Sequence, residues 1–168
     1  KRQVLVTLDG PASVIEGETT TNYTVTLDTA IPAGGNGVVV NFTYTGTATD
    51  GTDYTKQGSV TVAAGSDTAT FTLDTTDDVF ADDGETIIVA IDSITDTDGV
   101  FEAIAEDGVQ SVTTTINDQT GSDTPAGPED TVLVTLAGPT DVVEGETTTD
   151  YTVTLDTEIP AGGAGVVC

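Results

Sequence analysis

The sequence predicts an all-β chain built of antiparallel β-sandwich modules in tandem, and three observations carry that reading. Thirty-six of the 168 residues are threonine, interleaved with Val, Ile, Leu, Phe and Tyr, which is a strand-forming composition. Apolar and polar residues alternate with period two in one segment after another. The chain also repeats itself at a spacing of one domain length. Hydrophobic residues make up only 36% and the net charge is -26, values that accompany disorder where no pattern exists. The alternation here is that of a folded sheet.

Taken in order, a first strand is predicted over Val4 to Leu8. Tyr23, Val25 and Leu27 alternate with Thr24 and Thr26, and Val38, Val40, Phe42 and Tyr44 alternate with Val39, Asn41 and Thr43. Gly58 to Ala63 is a further strand. Ala69, Phe71 and Leu73 alternate with Thr70 and Thr72, and Glu85 to Ile91 and Val109 to Ile116 complete the set. About seven strands separated by Gly, Asp and Pro turns, within roughly 118 residues, describe an immunoglobulin-like β-sandwich. Helix is nearly absent from this pattern.

Shifting the chain by 128 places lays Val132 to Val167 over Val4 to Val39, with seven of 36 positions different. Such closeness marks tandem copies of one folding unit. The expected organisation is a complete module over 1–118, a linker over 119–131 and the N-terminal part of a second, truncated copy over 132–168. Pro125, Pro128, Gly121 and Gly127 interrupt the strand pattern and mark the linker. The second copy stops near its third predicted strand and cannot close a two-sheet core alone. Three arrangements stay open for it, order by itself, pairing with a neighbouring chain and docking on the first module, and its unfinished strand edges are of the kind that recruit partners.

Charge removes several functions. Acids number 29 against three bases, with no histidine, and after Arg2 the only base is Lys56. Nucleic acid and anionic membranes, which require lysine and arginine, are excluded as direct partners. Histidine-based catalysis and metal sites are impossible, and a lone Cys168 makes neither an internal disulfide nor a thiolate cluster. No apolar run approaches the ~20 residues of a membrane span and the N-terminus lacks a signal-peptide core, as expected of a segment or mature region of something larger.

What remains is carboxylate and hydroxyl chemistry. The densest run holds Asp77, Asp78, Asp82, Asp83 and Glu85, five carboxylates in nine residues. Unit charges ~4 Å apart repel by about 4 kcal/mol at an effective dielectric of 20, so such a cluster calls for a cation. Calcium takes six to eight oxygens in flexible geometry, whereas magnesium demands water-rich octahedral coordination. A solvated acidic turn is the competing reading. Asp96, Asp98 and Gly99 imitate an EF-hand, but its first and twelfth ligand positions would be Ile94 and Ala105, and it is rejected. Ala33 to Gly37 imitates a glycine-rich calcium nonapeptide, yet Val39 stands where the aspartate belongs, and a hairpin loop is expected instead. The Thr-x-Thr runs are read as solvent faces of half-buried strands and not as an ice-binding array.

The segments GTATDGTDYTKQGSVTVAAGSDTATFTL, DDVFADDGETIIVAI and TTTINDQ resemble the Calx-beta domain of sodium-calcium exchangers and repetitive bacterial surface proteins. The resemblance runs from about Ser13 to Asp118, and its most specific elements are Gly51 to Tyr54 and the Asp-Asp-Val-aromatic run. It implies an immunoglobulin-like sandwich with calcium sites at one end. By position, the implied calcium ligands are Glu16, Asp53, Asp77, Asp78, Asp82, Glu85 and Asp118. One extra residue before Glu85 leaves both Asp82 and Asp83 as candidates for the middle ligand. The closing strand ends in Asn117 and Asp118, where calcium-binding members carry several aspartates, and this removes charge from the site. Asp123, Glu129 and Asp130 in the linker are a second candidate calcium set, beside the reading of the linker as a flexible spacer.

Tandem, acidic, threonine-rich sandwiches without internal cysteine look like the extender repeats of large RTX-type adhesins. That likeness implies a calcium-stabilised spacer exported by a type I system to the bacterial cell surface, associated with the outer membrane, whose partners are neighbouring repeats and whose role is surface attachment and biofilm. The alternative is a glycan- or protein-binding surface module without structural calcium, for which the absence of Trp is a poor sign. No enzymatic activity is expected: no carboxylate pair stands out from the crowd as a glycosidase would need.

Overall fold

Alternating segments become strands that pair into two sheets. The computed structural model describes residues 2–80, 84–119 and 131–168, and no helix occurs among them. The chain divides into two units, Lys1–Gly121 and Ser122–Cys168. In the first unit, β1 (Val4–Asp9), β3 (Tyr23–Leu27), β7 (Thr68–Phe71) and β10 (Ile104–Glu106) form one sheet in the order β10-β1-β3-β7. The second sheet is β2-β11-β9-β4-β6, made of β2 (Ser13–Ile15), β4 (Val38–Thr45), β6 (Ser59–Val62), β9 (Glu85–Asp96) and β11 (Ser111–Asn117). A small ribbon pairs β5 (Tyr54–Thr55) with β8 (Asp74–Thr75). This is the predicted all-β, immunoglobulin-like sandwich.

The inward face of each strand supplies the core. Val6 and Val25 from the first sheet meet Val38, Val40, Val62, Ile87 and Val89 from the second, all fully buried, each worth about 1.5–3 kcal/mol on burial. The intervening Thr7, Thr24 and Thr26 lie on the outer face, half-buried. An aromatic cluster joins the sheets: Phe71 stacks on Tyr23 at 4.9 Å and meets Phe42 at 4.7 Å. The Tyr23 ring also covers Gly10, where a Cβ would lie 2.4 Å from a ring carbon, so only glycine lets the strand pass.

Tyr23 carries a polar bridge through this core. Its hydroxyl is hydrogen-bonded to Thr114 Oγ1, which donates to the Pro11 carbonyl at 2.8 Å. Burial pushes the phenol above its ordinary value, so it remains a neutral donor near neutral pH. Tyr23→Phe keeps the ring and removes the bridge, and is expected to destabilise the first unit by about 1 kcal/mol, read as a lower denaturation midpoint at unchanged m-value.

Three features differ from expectation. The Ala33 to Gly37 loop is not a hairpin, because β3 pairs with β1 and β7 while β4 pairs with β6 and β9; the loop carries the chain from one sheet to the other. β9 runs to Asp96, past the expected end at Ile91, and accommodates a register shift opposite Asn41 and Phe42. β2, β5, β8 and β10 escaped the pattern because two or three residues are too few to show a period.

The second unit contains β12 (Val134–Ala137) and β13 (Thr152–Leu155), paired antiparallel.

Candidate functional site

The first unit brings several of its acids to one end through backbone pairing. β2 runs parallel to β11, with Ile15 opposite Asn117, and the Glu16 N–H donates to the Asn117 carbonyl at 3.0 Å. Glu85 opens β9 opposite Ile116, and the Gly84 N–H donates to the Ile116 carbonyl at 3.1 Å. Thus Glu16, Glu85 and the half-buried Asp118 share the end where β11 finishes.

The ribbon brings in the rest. Thr75 Oγ1 donates to the Glu18 carbonyl at 2.7 Å, and the Thr76 N–H donates to the Asp53 carbonyl at 2.9 Å. Asp77 follows directly and lies over Gly17, where a Cβ would come within 2.9 Å of its own Cβ. Gly17 also has a φ of 75°, a conformation that glycine adopts without strain. The site therefore uses glycine both for the turn and for the close approach of Asp77.

The carboxylates point in two ways. Oxygens of Glu16 (Oε2), Asp77 (Oδ1) and Glu85 (Oε2) are shielded from solvent, as is Gln119 Oε1. Glu16 as a whole is buried, and its Oε1 accepts the Gln119 N–H at 3.2 Å. Asp53 and Asp78 instead organise turns: Asp53 Oδ2 accepts the Thr49 N–H at 2.6 Å, and Asp78 Oδ1 accepts the Phe80 N–H at 2.7 Å. Gln119 is the first residue of the expected linker. Its side-chain amide, one place beyond Asp118, is a further oxygen donor that only the folded path of the chain reveals.

Asp82 and Asp83, and the linker set Asp123, Glu129 and Asp130, lie outside the described residues. Among the described residues no group of three acidic side chains is arranged to hold a metal ion. The donor chemistry nonetheless suits calcium: carboxylate and amide oxygens only, from five separate segments, in loops that can adjust. Basic partners are few. Arg2 faces Asp28 at 3.6 Å and Lys56 faces Asp50 at 3.2 Å, both exposed. The Lys56 N–H and ammonium together hold the Asp50 carboxyl below its ordinary value.

Asp96 and Asp98, the imitation of an EF-hand, close turns. Asp96 Oδ2 accepts the Phe101 N–H at 2.8 Å, and Asp98 accepts the Asn36 N–H at 2.6 Å and the Asn36 Nδ2 at 2.8 Å. The Asn36 backbone bond, then its side chain, lowers the Asp98 carboxyl from its ordinary value. A cleft of about 370 Å³ opens beside them, lined by Ile31 to Asn36, Asp98 and Val100. It has no aromatic wall on which a sugar ring could stack.

Solved structures share this fold. The apo form of the Calx CBD1 domain matches with a TM-score of 0.56 at 18% identity, over 69% of this chain and 97% of that one. CBD12 from CALX1.2 matches at 0.55 and 17%, over 72% and 47% of the two chains. The calcium binding domain CBD12 of CALX1.1 matches at 0.53 and 21%, over 70% and 45%. The chain thus spans about half the length of the two CBD12 structures and nearly all of the CBD1 domain. No protein-family model matches the chain, and no curated protein does. At these identities the likeness establishes the fold, a Calx-beta-like sandwich.

Proposed function

We propose that this chain is a calcium-stabilised extender repeat of a large secreted bacterial surface adhesin, holding a binding tip away from the cell. The observation that supports it best is the inward turn of carboxylate oxygens from Glu16, Asp77 and Glu85 at one end of a chain whose net charge is -26. Carboxylate oxygens brought from separate segments to one end of a sandwich are the donor type that a hard divalent cation takes. Calcium would draw Glu16, Asp77, Glu85, Asp118 and the Gln119 amide closer together than they stand, an adjustment that loop ligands allow. Asp53 and Asp78 would offer their second oxygens. One structural neighbour, CBD12 of CALX1.1, is a calcium binding domain, which supports this use of the fold.

The physical logic suits export. In a calcium-poor cytoplasm the acids repel and favour the unfolded chain that a type I system passes. Outside the cell calcium binds the folded form alone and stabilises it by mass action. With one cysteine in the chain, calcium replaces disulfides as the staple. Neighbouring repeats are the partners, the setting is the bacterial cell surface, and no catalytic role is assigned.

Titration calorimetry of the chelator-treated chain tests the site. Calcium is expected to bind at least tenfold more tightly than magnesium, and the heat is expected to vanish in a Glu16→Gln, Glu85→Gln double variant. Equal heats from wild type and variant would remove these residues from the site. Absence of any calcium heat, together with binding of a soaked oligosaccharide in the cleft beside Asp98, would favour the glycan-binding reading.

A further inference from the structure

Of the four asparagines in the chain, Asn36 alone precedes a glycine; Asn22, Asn41 and Asn117 precede Tyr23, Phe42 and Asp118. That neighbour matters chemically. The backbone nitrogen of the following residue can attack the asparagine Cγ, closing a five-membered succinimide and expelling ammonia, and a following residue without a Cβ leaves the approach open. Water then opens the ring to aspartate or isoaspartate. One amide and one water are consumed, one acid and one ammonia are formed, and nothing is oxidised or reduced.

The fold holds this position shut. The Asn36 N–H donates to Asp98 Oδ2 at 2.6 Å, and Asn36 Nδ2 donates to Asp98 Oδ1 at 2.8 Å. One carboxylate thus grips both the backbone and the side chain, through bonds of the stronger, charge-assisted kind. The grip engages the same nitrogen that must leave as ammonia and keeps its lone pair in the amide, so Cγ stays a poor electrophile. Gly37, which supplies the attacking nitrogen, is buried and packed against β6, where a Cβ would collide with the Val62 carbonyl. Water for the second step is at hand, because Asn36 and Asp98 are exposed and line the open cleft that runs from Ile31 to Val100.

We propose that Asn36 is a site of deamidation guarded by the Asp98 carboxylate, reacting only when the 31–37 loop lets go of Asp98. The product cannot be gripped again. An acid at position 36 has no side-chain N–H to donate and repels Asp98, and isoaspartate lengthens the main chain by one carbon where it crosses from one sheet to the other. Each opening that reacts is therefore irreversible and leaves the crossing loop loosened. The second copy carries Ala164 before Gly165 at the corresponding place and has no group there to react.

Incubation of the whole chain at neutral pH, with peptide mass analysis and enzymatic methylation of isoaspartate, reads the rate at each asparagine. Folded wild type is expected to react at Asn36 more slowly than the same chain in urea. Asp98→Ala, folded by circular dichroism, is expected to react about tenfold faster than wild type, the factor set by losing one charge-assisted hydrogen bond. Where the alanine variant fails to fold, Asp98→Asn keeps the shape and one acceptor oxygen, and a smaller acceleration is expected. Tyr23→Phe weakens the first unit without touching the grip and should leave the Asn36 rate unchanged. In denaturation Asn36→Asp should lower the midpoint more than Asn36→Ala, a difference that should disappear once Asp98 is also replaced.

A wild-type rate in buffer equal to that in urea overturns the proposal, as does an equal rate in wild type and the Asp98 variants. Acceleration by Tyr23→Phe as large as that by Asp98→Ala would place the reaction in the globally unfolded chain and remove the guard. First modification at Asn22, Asn41 or Asn117 would remove the site itself.

Discussion

Calcium added to the chelator-treated chain is expected to raise the unfolding midpoint of the first unit by about 10 °C, and magnesium by far less. At a free calcium concentration one hundred times the dissociation constant, binding to the folded state alone contributes about 2.7 kcal/mol. For a domain of this size each kcal/mol moves the midpoint by roughly 4 °C. The informative variants are isosteric: Glu16→Gln, Asp77→Asn and Glu85→Gln keep shape and remove charge. In calcium each should lower the midpoint by removing a ligand. In chelator each should leave it unchanged or raise it, because removing one of several clustered negative charges relieves repulsion. Opposite signs in the two conditions identify a ligand. An equal loss in both would show that the carboxylate serves as a structural hydrogen-bond acceptor, as Glu16 already does for the Gln119 N–H. No calcium shift in the wild-type chain would end the calcium reading.

Tyr23→Ala and Tyr151→Ala make the same change within nearly the same local sequence and are expected to differ by several kcal/mol. Tyr23 is fully buried, stacked on Phe71 and bonded to Thr114. Its truncation leaves a cavity between the sheets, and losses of about 3–5 kcal/mol follow for aromatic residues in such positions. Tyr151 is 62% exposed, and its truncation should change stability by less than about 0.5 kcal/mol. Chemical denaturation of the two variants, followed by fluorescence of the remaining tyrosines and by circular dichroism, separates these outcomes. Equal losses would mean that the second unit buries its apolar face in solution and that the two halves are not distinct in packing.

The strands were legible because half-buried β-structure writes itself into period two. Val4 to Leu8, Tyr23 to Leu27 and Val38 to Tyr44 each became strands with the alternating inward residues in the core. β5 and β8 were illegible, since two residues carry no period, yet this ribbon delivers Asp53 and Asp77 to the acidic end. The run from Asp77 to Glu85 was conspicuous as charge. That Glu16, Asp77 and Glu85 turn oxygens inward while Asp53 and Asp78 brace turns could not be read from composition, because all five are the same chemistry until pairing fixes their directions. Gln119 carried no signal at all, being an uncharged residue at a presumed linker.

The chain's repeat shows where local information stops. Composition, alternation and the 128-residue period determined an all-β sandwich, its strand positions and the acidity of its loops, because those properties reside in short windows of side chains. The register of β12 with β13 belongs to the same level, being identical to that of β1 with β3. Whether Tyr23 or Tyr151 is core, and whether a carboxylate oxygen is shielded or open to solvent, was decided only by the tertiary structure. Burial and electrostatic convergence depend on segments that are distant in sequence, and one strand pair without its facing sheet has no inside.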